Sequence, residues 1–342
     1  MSKNRLSDPA QAIAKQEMTP AILLMGPTAS GKTDLAVALV ERFPLEIISV
    51  DSAMVFRDMN IGTAKPEPDI LARAPHHLID CRSPVDSYSA AQFCSDAGQL
   101  MQDIRARGRI PLLVGGTMLY FKALREGLSE LPSADEAVRQ QIDQEALERG
   151  WEALHAEIRQ RDPDSAARIK PGDSQRIQRA IEIMRTTGST LTELWSRHRT
   201  RPVTDHWLSI ALLPSERATL HARIAQRFDA MLAAGLLDEL AALRQRYPLH
   251  AELPSMRCVG YRQAWAFQQG EYDAAELRER GVFATRQLAK RQLTWLRSMA
   301  NSTQHAIDSL EPSATSQVFH HVAAYIERFP NLPLAQPENR TS

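Results

Sequence analysis

The chain has 342 residues, which is enough for a full hydrophobic core and for two domains, or for one domain with an insertion. Lysine plus arginine and aspartate plus glutamate both number 41, so the net charge is zero and any basic surface for nucleic acid must be local. The three cysteines lack metal-like spacing, residues 1–19 lack the apolar stretch of a secretion signal, and no apolar run is long enough to cross a membrane. We therefore expect a reduced, cytoplasmic protein with a flexible tail at residues 1–19.

The first apolar run leads into a glycine-rich motif. Residues 21–25 read as a buried strand and residues 34–40 have helical spacing, so the motif lies at a strand-to-helix turn. Its glycines let successive backbone N–H groups point at one anion, and the helix adds the positive end of its dipole. Lys32 can reach an outer phosphate, and the Thr33 hydroxyl can ligate Mg²⁺. The predicted phosphate-binding residues are Gly26, Pro27, Thr28, Ala29, Ser30, Gly31, Lys32 and Thr33.

A second predicted strand, residues 45–50, follows after one helix and ends at Asp51. This strand–helix–strand unit predicts a parallel sheet whose ligands bind at the carboxyl ends of the strands. Three roles are open for Asp51 at such a position. It can help to hold Mg²⁺, act as a base toward a second substrate, or only cap the helix that follows.

The next segments are less specific. His76 and His77 are adjacent on an extended stretch, so their side chains point to opposite faces and make a poor joint metal site. Residues 88–107 have helical spacing, and residues 110–114 read as another buried strand. That strand ends in a Gly-Gly-Thr sequence closing at Thr117, where a ligand can approach the backbone and the hydroxyl can form a hydrogen bond. A tight turn without a ligand is the alternative.

Three motifs resemble those of one family. The sequences GPTASGKT at 26–33, DSAMVFRDMNIGTAKP at 51–66 and GGTMLYFKAL at 115–124 resemble the motifs of bacterial tRNA dimethylallyltransferases. The resemblance spans about residues 20–300 and continues, in order, through 132–139, 175–183, 220–232, 256–263 and 290–297. Members transfer the isoprenoid group of dimethylallyl diphosphate to N6 of the adenosine next to the anticodon, in tRNAs that read codons beginning with U. They release diphosphate.

The resemblance implies a fold and several roles. The fold is α/β, with a P-loop-type parallel sheet core flanked by helices and an all-helical insertion domain. By resemblance, Asp51 is the base that accepts a proton from N6, and Thr117 stands near the reacting centre. Lys32 and Mg²⁺, the implied cofactor, neutralise the departing diphosphate. Arg223 and Arg227 lie one helical turn apart and are candidates for a diphosphate clamp and a catalytic role, although ordinary salt bridges explain the pair nearly as well.

The resemblance also implies a tRNA-binding surface. Residues 257–262 combine two guanidiniums, a glycine and an aromatic ring, and residues 284–297 carry four basic residues and no acid, which suits RNA. Ala53, Met54 and Phe56 stand where many members carry a glutamine and a tyrosine. The implied tRNA contacts are Asp51, Ser52, Ala53, Met54, Thr117, Arg139, Gln175, Arg176, Ile177, Gln178, Arg179, Arg257, Cys258, Val259, Gly260, Tyr261, Arg262, Lys290, Arg291, Gln292, Leu293, Thr294, Trp295, Leu296 and Arg297.

The expected domains follow from the resemblance and from composition. A core at residues 20–125 and 202–310 is interrupted by a helical, tRNA-binding insertion at 126–201, where no strand-like run occurs. Residues 206–214 read as the strand with which the core resumes. Residues 311–342 are expected to form a last helix and a disordered, proline-rich end.

Rival functions share parts of this pattern. A small-molecule or nucleoside kinase predicts phosphate transfer from ATP, and a regulatory NTP-dependent RNA-binding protein predicts nucleotide hydrolysis. An adenylate dimethylallyltransferase keeps the phosphate loop and Asp51 but lacks an RNA surface. The prediction is a monomeric enzyme without a membrane partner that binds dimethylallyl diphosphate and the tRNA anticodon stem-loop, and flips the target adenine into its channel. Whether ATP also binds the loop stays open.

Overall fold

The computed structural model describes residues 19–127, 131–132, 134–197, 206–299 and 304–330. Of the expected tails, residues 1–18 and 331–342 lie outside the described residues. The chain divides into two compact units, one formed by Met1–Arg125 with Val203–Ser342 and the other by Glu126–Pro202. The insertion is expected at 126–201, and the second unit ends one residue later.

The first unit contains a sheet whose described strands are all parallel. The strands are β1 Pro20–Met25, β2 Leu45–Val50, β3 His76–His77, β4 Ile110–Gly115, β5 His206–Leu212 and β6 Gln304–Ile307. They lie in the order β3-β2-β4-β1-β5-β6. The central strands β1 and β4 are buried along their whole length, which is why they read as continuous apolar runs.

Helices account for most of the remaining described residues. In chain order they are α1 Lys32–Arg42, α2 Pro68–Arg73, α3 Ala90–Ala106, α4 Met118–Glu126, α5 Glu136–Arg149, α6 Trp151–Arg161, α7 Pro163–Arg168, α8 Ser174–Thr187, α9 Leu191–Arg197, α10 Arg217–Ala233, α11 Leu236–Arg246, α12 Tyr261–Gln268, α13 Ala274–Ser298 and α14 Ala314–Ile326. Among the helices described, none combines the length and the apolar character that a bilayer-spanning segment requires.

Helices cover both faces of the sheet. Successive residues of β1 alternate, so that Ile22 and Leu24 pack with α1 and α14, while Leu23 and Met25 pack with α3 and α4. Leu296 of α13 joins the second of these clusters. Because helices cover both faces and the described strands all run in the same direction, we expect a ligand to bind at the carboxyl ends of the strands.

The second unit is helical over its described residues. Helices α5 to α9 enclose a separate core that includes Ile142, Leu154, Ile158 and Ile181. The only carboxylate buried completely among the described residues, Glu182, also lies in this unit. The unit therefore has a core of its own, as expected of a domain.

The sequence analysis missed two strands and shortened one helix. β3 has two residues and β6 has four, and neither carries a continuous apolar run. The helical spacing noted at 284–297 belongs to a longer helix, α13. None of Cys81, Cys94 and Cys258 forms a disulfide.

Candidate active site

A cavity of about 500 Å³ opens at the carboxyl ends of β1, β2 and β4. The start of α1, which follows β1, contributes Lys32, the turn after β2 contributes Asp51, and the turn after β4 contributes Thr117. Helix α10 contributes Arg227, and α13 contributes Gln292. Three motifs that are far apart in sequence therefore line one cavity, as the strand-end argument predicts.

The phosphate-binding loop follows β1 and ends where α1 begins. Gly31 has φ +82° and Ala29 has φ +62°, so the loop holds left-handed backbone at two positions, one of them not glycine. A Cβ atom on Gly26 would lie 2.8 Å from Ser30 Oγ and 3.2 Å from Lys32 Cδ, which explains the glycine there. Ser30 Oγ is buried and has no partner among the described residues. An unpartnered buried hydroxyl beside a helix N-terminus fits an anion that is bound in the loop.

Two cations of the cavity are held close together. The Lys32 ammonium donates to the Pro27 carbonyl oxygen at 2.6 Å. Burial lowers the pKa of Lys32 to about 8, with a further contribution from Arg227 that Asp51 partly opposes. Burial also lowers the pKa of Arg227, which donates to the Ala64 carbonyl oxygen at 3.5 Å. Within the described residues neither cation forms an ion pair with a carboxylate, so a bound anion would offset the cost of burying them.

The two arginines proposed as a clamp are placed differently. Arg227 lines the cavity, whereas Arg223, one turn earlier on α10, is exposed and is absent from the cavity lining. The structure therefore brings one member of the pair to the phosphate-binding loop and does not bring the other.

Asp51 is fixed by the backbone that follows it. Its Oδ1 accepts hydrogen bonds from the N–H groups of Ala53 at 2.8 Å and Met54 at 3.2 Å, while Oδ2 has no partner among the described residues. Thr117 supports the same turn, because its hydroxyl accepts from the Ser52 N–H at 3.1 Å and donates to Ser52 Oγ at 3.4 Å. Oδ1 of Asp51 therefore caps the following backbone, which is one of the roles considered for this residue. Oδ2 remains able to accept a proton from a ligand.

The cavity supplies only some of the ligands that a Mg²⁺ ion needs. Over the described residues no group of three or more His, Cys, Asp or Glu side chains is arranged to bind a metal. Thr33 and Asp51 nevertheless line the cavity beside the phosphate-binding loop. Hard oxygen donors of this kind suit a magnesium ion that takes its other ligands from phosphate and water.

The cavity also has an apolar wall, formed by Ile224, Phe228, Met231 and Leu288. The first three lie on α10 at helical spacing, and they pack in one cluster where α10 meets α13. Sequence reasoning missed this wall, because residues at such spacing read as ordinary core. The wall can accept a short hydrocarbon group next to a phosphate site.

The two adjacent histidines have separate environments. His76 lines the cavity, and its Nδ1 lies 2.7 Å from the Ala74 carbonyl oxygen, while burial lowers its pKa. His77 Nε2 lies 3.1 Å from a carboxylate oxygen of Glu46.

Several implied tRNA contacts are open to a large ligand. Arg257 and Arg291 are exposed and line the cavity, and Lys290 and Arg297 are exposed on α13. Trp295, another implied contact, is only partly buried and also lines the cavity, with Lys122 Nζ 5.8 Å from its ring centroid. This end of α13 offers both positive charge and an aromatic ring to a nucleic acid.

Three other implied contacts need correction. Ile177, Tyr261 and Leu296 have no exposed surface. The Tyr261 hydroxyl donates to a carboxylate oxygen of Glu239, and its ring packs in the core, so this side chain cannot be the tRNA contact that the resemblance implies. Ile177 and Leu296 belong to the cores of their own units. Side chains buried in this way can support a surface but cannot contact tRNA.

Two arginines of the insertion also have internal partners. Arg139 and Arg179 both donate to the Glu182 carboxylate, and Arg179 also donates to the Pro132 carbonyl oxygen. On the same helix, α8, Gln175 and Arg176 are exposed. The start of α8 is thus the exposed part of this segment, although Arg176 there also pairs with Asp173 at 2.7 Å.

Comparison with known proteins identifies the family of the chain. A sequence profile described as IPP transferase matches residues 54–299, which is more than half of the chain. The chain belongs to the IPP transferase family. The resemblance found in the sequence and the predicted parallel α/β core are both confirmed.

Relatives in the IPP transferase family cover nearly the whole chain. The tRNA dimethylallyltransferase of Azoarcus sp. (strain BH72) is 59% identical over 88% of this chain and 95% of the relative. That of Ralstonia nicotianae is 58% identical over 90% of this chain and 96% of the relative.

Solved structures in the family share the fold. The tRNA isopentenylpyrophosphate transferase of Bacillus halodurans matches with a TM-score of 0.65 and 33% identity, covering 91% of this chain and 97% of that one. A eukaryotic dimethylallyltransferase captured while acting on tRNA matches with a TM-score of 0.74 and 26% identity, covering 93% and 81%.

Proposed function

We propose that this protein transfers the dimethylallyl group of dimethylallyl diphosphate to N6 of the adenosine next to the anticodon of tRNA. The reaction forms an N–C bond, breaks the allylic C–O bond and releases diphosphate. One observation carries the proposal: a phosphate-binding loop, an apolar wall and Asp51 line a single cavity. The identity to named tRNA dimethylallyltransferases supports the same reaction.

The donor end of the cavity suits a departing diphosphate. Lys32 and Arg227 supply positive charge and form no ion pair with a carboxylate of the described residues, and the Ser30 hydroxyl is available to a phosphate oxygen. Thr33 would hold Mg²⁺, which when bound would neutralise further negative charge on the diphosphate. Because charge accumulates on the leaving oxygens as the C–O bond breaks, these groups stabilise the transition state more than the bound donor.

The apolar wall suits the five-carbon group. A dimethylallyl chain whose diphosphate lies at Lys32 can place its methyl groups against Phe228 and Met231, which line the same cavity. The wall also limits water near the reacting carbon, and so protects it from hydrolysis.

The acceptor end suits an aromatic amine. N6 of adenosine is a weak nucleophile because its lone pair is delocalised, so removal of its proton during attack should help. Asp51 Oδ2 is the proposed proton acceptor, since Oδ1 already accepts two backbone hydrogen bonds. Thr117 and Ser52 hold this turn in place. The adenine must leave its stack to reach Asp51, so we propose a flipped base.

The remaining contacts are proposed to hold the anticodon stem-loop. Arg257, Lys290, Arg291 and Arg297 are exposed, and Arg257 and Arg291 also line the cavity that receives the base. Arg176 is the exposed candidate of the insertion. We further propose that the enzyme acts as a monomer in the cytoplasm, where its tRNA substrate is found.

One assay tests this function against its rivals. The protein is incubated with Mg²⁺, labelled dimethylallyl diphosphate and either unmodified tRNA or AMP, and in parallel with labelled ATP. We expect label in tRNA alone. Label in AMP would instead indicate an adenylate dimethylallyltransferase, and release or transfer of phosphate from ATP would indicate a kinase or hydrolase.

A further inference from the structure

One side chain of α13 connects two loops of the cavity. Gln292 Oε1 accepts a hydrogen bond from the Thr28 N–H at 2.9 Å, and Gln292 Nε2 donates to the Gly116 carbonyl oxygen at 3.0 Å. The two partners are 264 and 176 residues away in sequence. Both hydrogen-bonding ends of one amide are therefore used to hold backbone from distant segments.

The two loops belong to opposite ends of the proposed reaction. Thr28 is part of the phosphate-binding loop, at the donor end. Gly116 precedes Thr117, whose hydroxyl is hydrogen-bonded to Ser52 in the turn that orients Asp51. Gln292 thus joins the loop that would hold the leaving group to the loop that supports the proposed base.

The fit around Gly116 is close. A Cβ atom at this position would lie 2.4 Å from Gln292 Nε2, which is shorter than any ordinary contact. The same atom would lie 3.3 Å from the Gly26 carbonyl oxygen, a contact that is only slightly tight. The space at Gly116 is therefore occupied mainly by the Gln292 amide, and any larger residue there would displace it.

We propose that Gln292 is a positioning residue for prenyl transfer, which fixes the spacing between the diphosphate and the Asp51 turn. The proposal rests on the function given above. Transfer requires the reacting atoms to lie about 3–3.5 Å apart in line, and a displacement of about 1 Å can cost about 100-fold in rate. Lys32 and Arg227, which would bind the diphosphate, make no hydrogen bond to Gln292, so loss of the amide should affect turnover more than binding.

The proposal gives an unusual role to α13. Lys290 and Arg291, next to Gln292 on this helix, are exposed and available to RNA. A helix that contacts the tRNA would at the same time hold the phosphate-binding loop against the turn that carries the base. Binding of tRNA and alignment of dimethylallyl diphosphate would then both depend on α13.

The first test separates turnover from binding. Gln292→Ala should lower kcat by about 10- to 100-fold and change KM for either substrate by less than about threefold. Gln292→Glu should be as poor, because a carboxylate oxygen would face the Gly116 carbonyl oxygen and cannot donate. Gln287→Ala is the matched control, since Gln287 lies on the same helix, is absent from the cavity lining and has no hydrogen bond within the described part of the chain.

The second test uses the contact with Gly116. Gly116→Ala alone should lower kcat, because its Cβ displaces the Gln292 amide. In a Gln292→Ala background the same change should cost less than about twofold, because the space is then empty. If the kcat losses of Gly116→Ala and Gln292→Ala instead multiply in the double variant, the proposal is contradicted.

The remaining outcomes are also decisive. If Gln292→Ala keeps kcat within threefold of the wild type, or lowers kcat only in proportion to the fraction that is unfolded at the assay temperature, the positioning role is wrong while the proposed function stands. If the wild type incorporates no prenyl group into tRNA, both fail. A kcat loss with unchanged melting temperature and a non-additive Gly116→Ala effect supports the role.

Discussion

The cavity and the helical insertion use positive charge in opposite ways. Lys32 and Arg227 in the cavity have no carboxylate partner among the described residues, and burial lowers the pKa of each. In the insertion, Arg139 and Arg179 both donate to Glu182, which is completely buried. Burial would raise the pKa of Glu182, but the hydrogen bonds from these arginines bring it below its usual range.

This difference distinguishes charges that bind a ligand from charges that stabilise the fold. A buried charge without a partner costs stability, so its presence in a cavity indicates that a ligand of opposite charge completes the site. A buried charge with two partners is already satisfied, and removing one member leaves the other unpaired inside the protein. The same residue type, arginine, therefore points to a ligand in one unit and to folding in the other.

The largest expected effect tests the acceptor end of the cavity. Asp51→Asn keeps an oxygen for the Ala53 and Met54 N–H groups but cannot accept a proton, so turnover should fall by about a hundredfold or more. tRNA binding, measured by filter retention or fluorescence, should stay nearly unchanged. Asp51→Ala also removes the hydrogen bonds that Oδ1 accepts from the Ala53 and Met54 N–H groups. Comparison with Asp51→Asn therefore measures how much these hydrogen bonds contribute to turnover. Equal losses of turnover and of tRNA binding would make Asp51 a structural residue.

The next effect compares the two arginines of α10. Arg227→Gln should weaken binding of a dimethylallyl diphosphate analogue by about 10- to 100-fold, because it removes one of the two cations that line the cavity beside the phosphate-binding loop. Arg223→Gln, one turn away and exposed, should have a clearly smaller effect. Calorimetric titration of each variant measures this directly. A greater loss for Arg223→Gln would mean that the helix moves when the donor binds.

A smaller effect follows from the pKa of Lys32. The ammonium is the form that binds diphosphate, and its pKa is about 8 without a ligand. Affinity for the donor analogue should therefore be fully present below pH 8 and fall by up to about tenfold for each pH unit above it. Lys32→Arg, whose guanidinium does not titrate in this range, should give a flat profile. A wild-type profile that stays flat up to pH 9 would contradict the assignment.

The smallest effect concerns the insertion. Arg176→Ala should reduce tRNA affinity a few-fold, lower its salt dependence, and leave thermal stability unchanged, because this side chain is exposed and its one ion pair among the described residues is with Asp173. Arg179→Ala should instead lower the melting temperature, since it leaves Glu182 with one arginine. If Arg179→Ala weakened tRNA binding without destabilising the protein, the contrast between the two regions would fail.

The sequence predicted what depends on local pattern. The phosphate-binding loop lies between β1 and α1, so its geometry follows from neighbouring residues, and the position of Asp51 follows from the end of β2. Short strands such as β6 have no local signature, because their pairing is set by β5.

Burial and long-range contacts were not predictable in this way. Tyr261 lies in a basic, glycine-containing segment that reads as RNA-binding, but the core that buries it includes α11, reached only in the folded chain. The apolar wall resembled ordinary core, and the Gln292 hydrogen bonds join segments that no sequence window contains. Motifs therefore located the site, whereas the partners of each side chain required the fold.

The proposed function requires that the phosphate-binding loop binds a diphosphate that carries a hydrocarbon group. The most direct test is a crystal structure with Mg²⁺ and a dimethylallyl thiolodiphosphate analogue. We predict both phosphorus atoms at the loop between Gly26 and Thr33, beside Lys32 and Arg227, with the carbon chain against Phe228 and Met231. If the analogue binds elsewhere and neither phosphorus atom lies at this loop, the proposed function is contradicted.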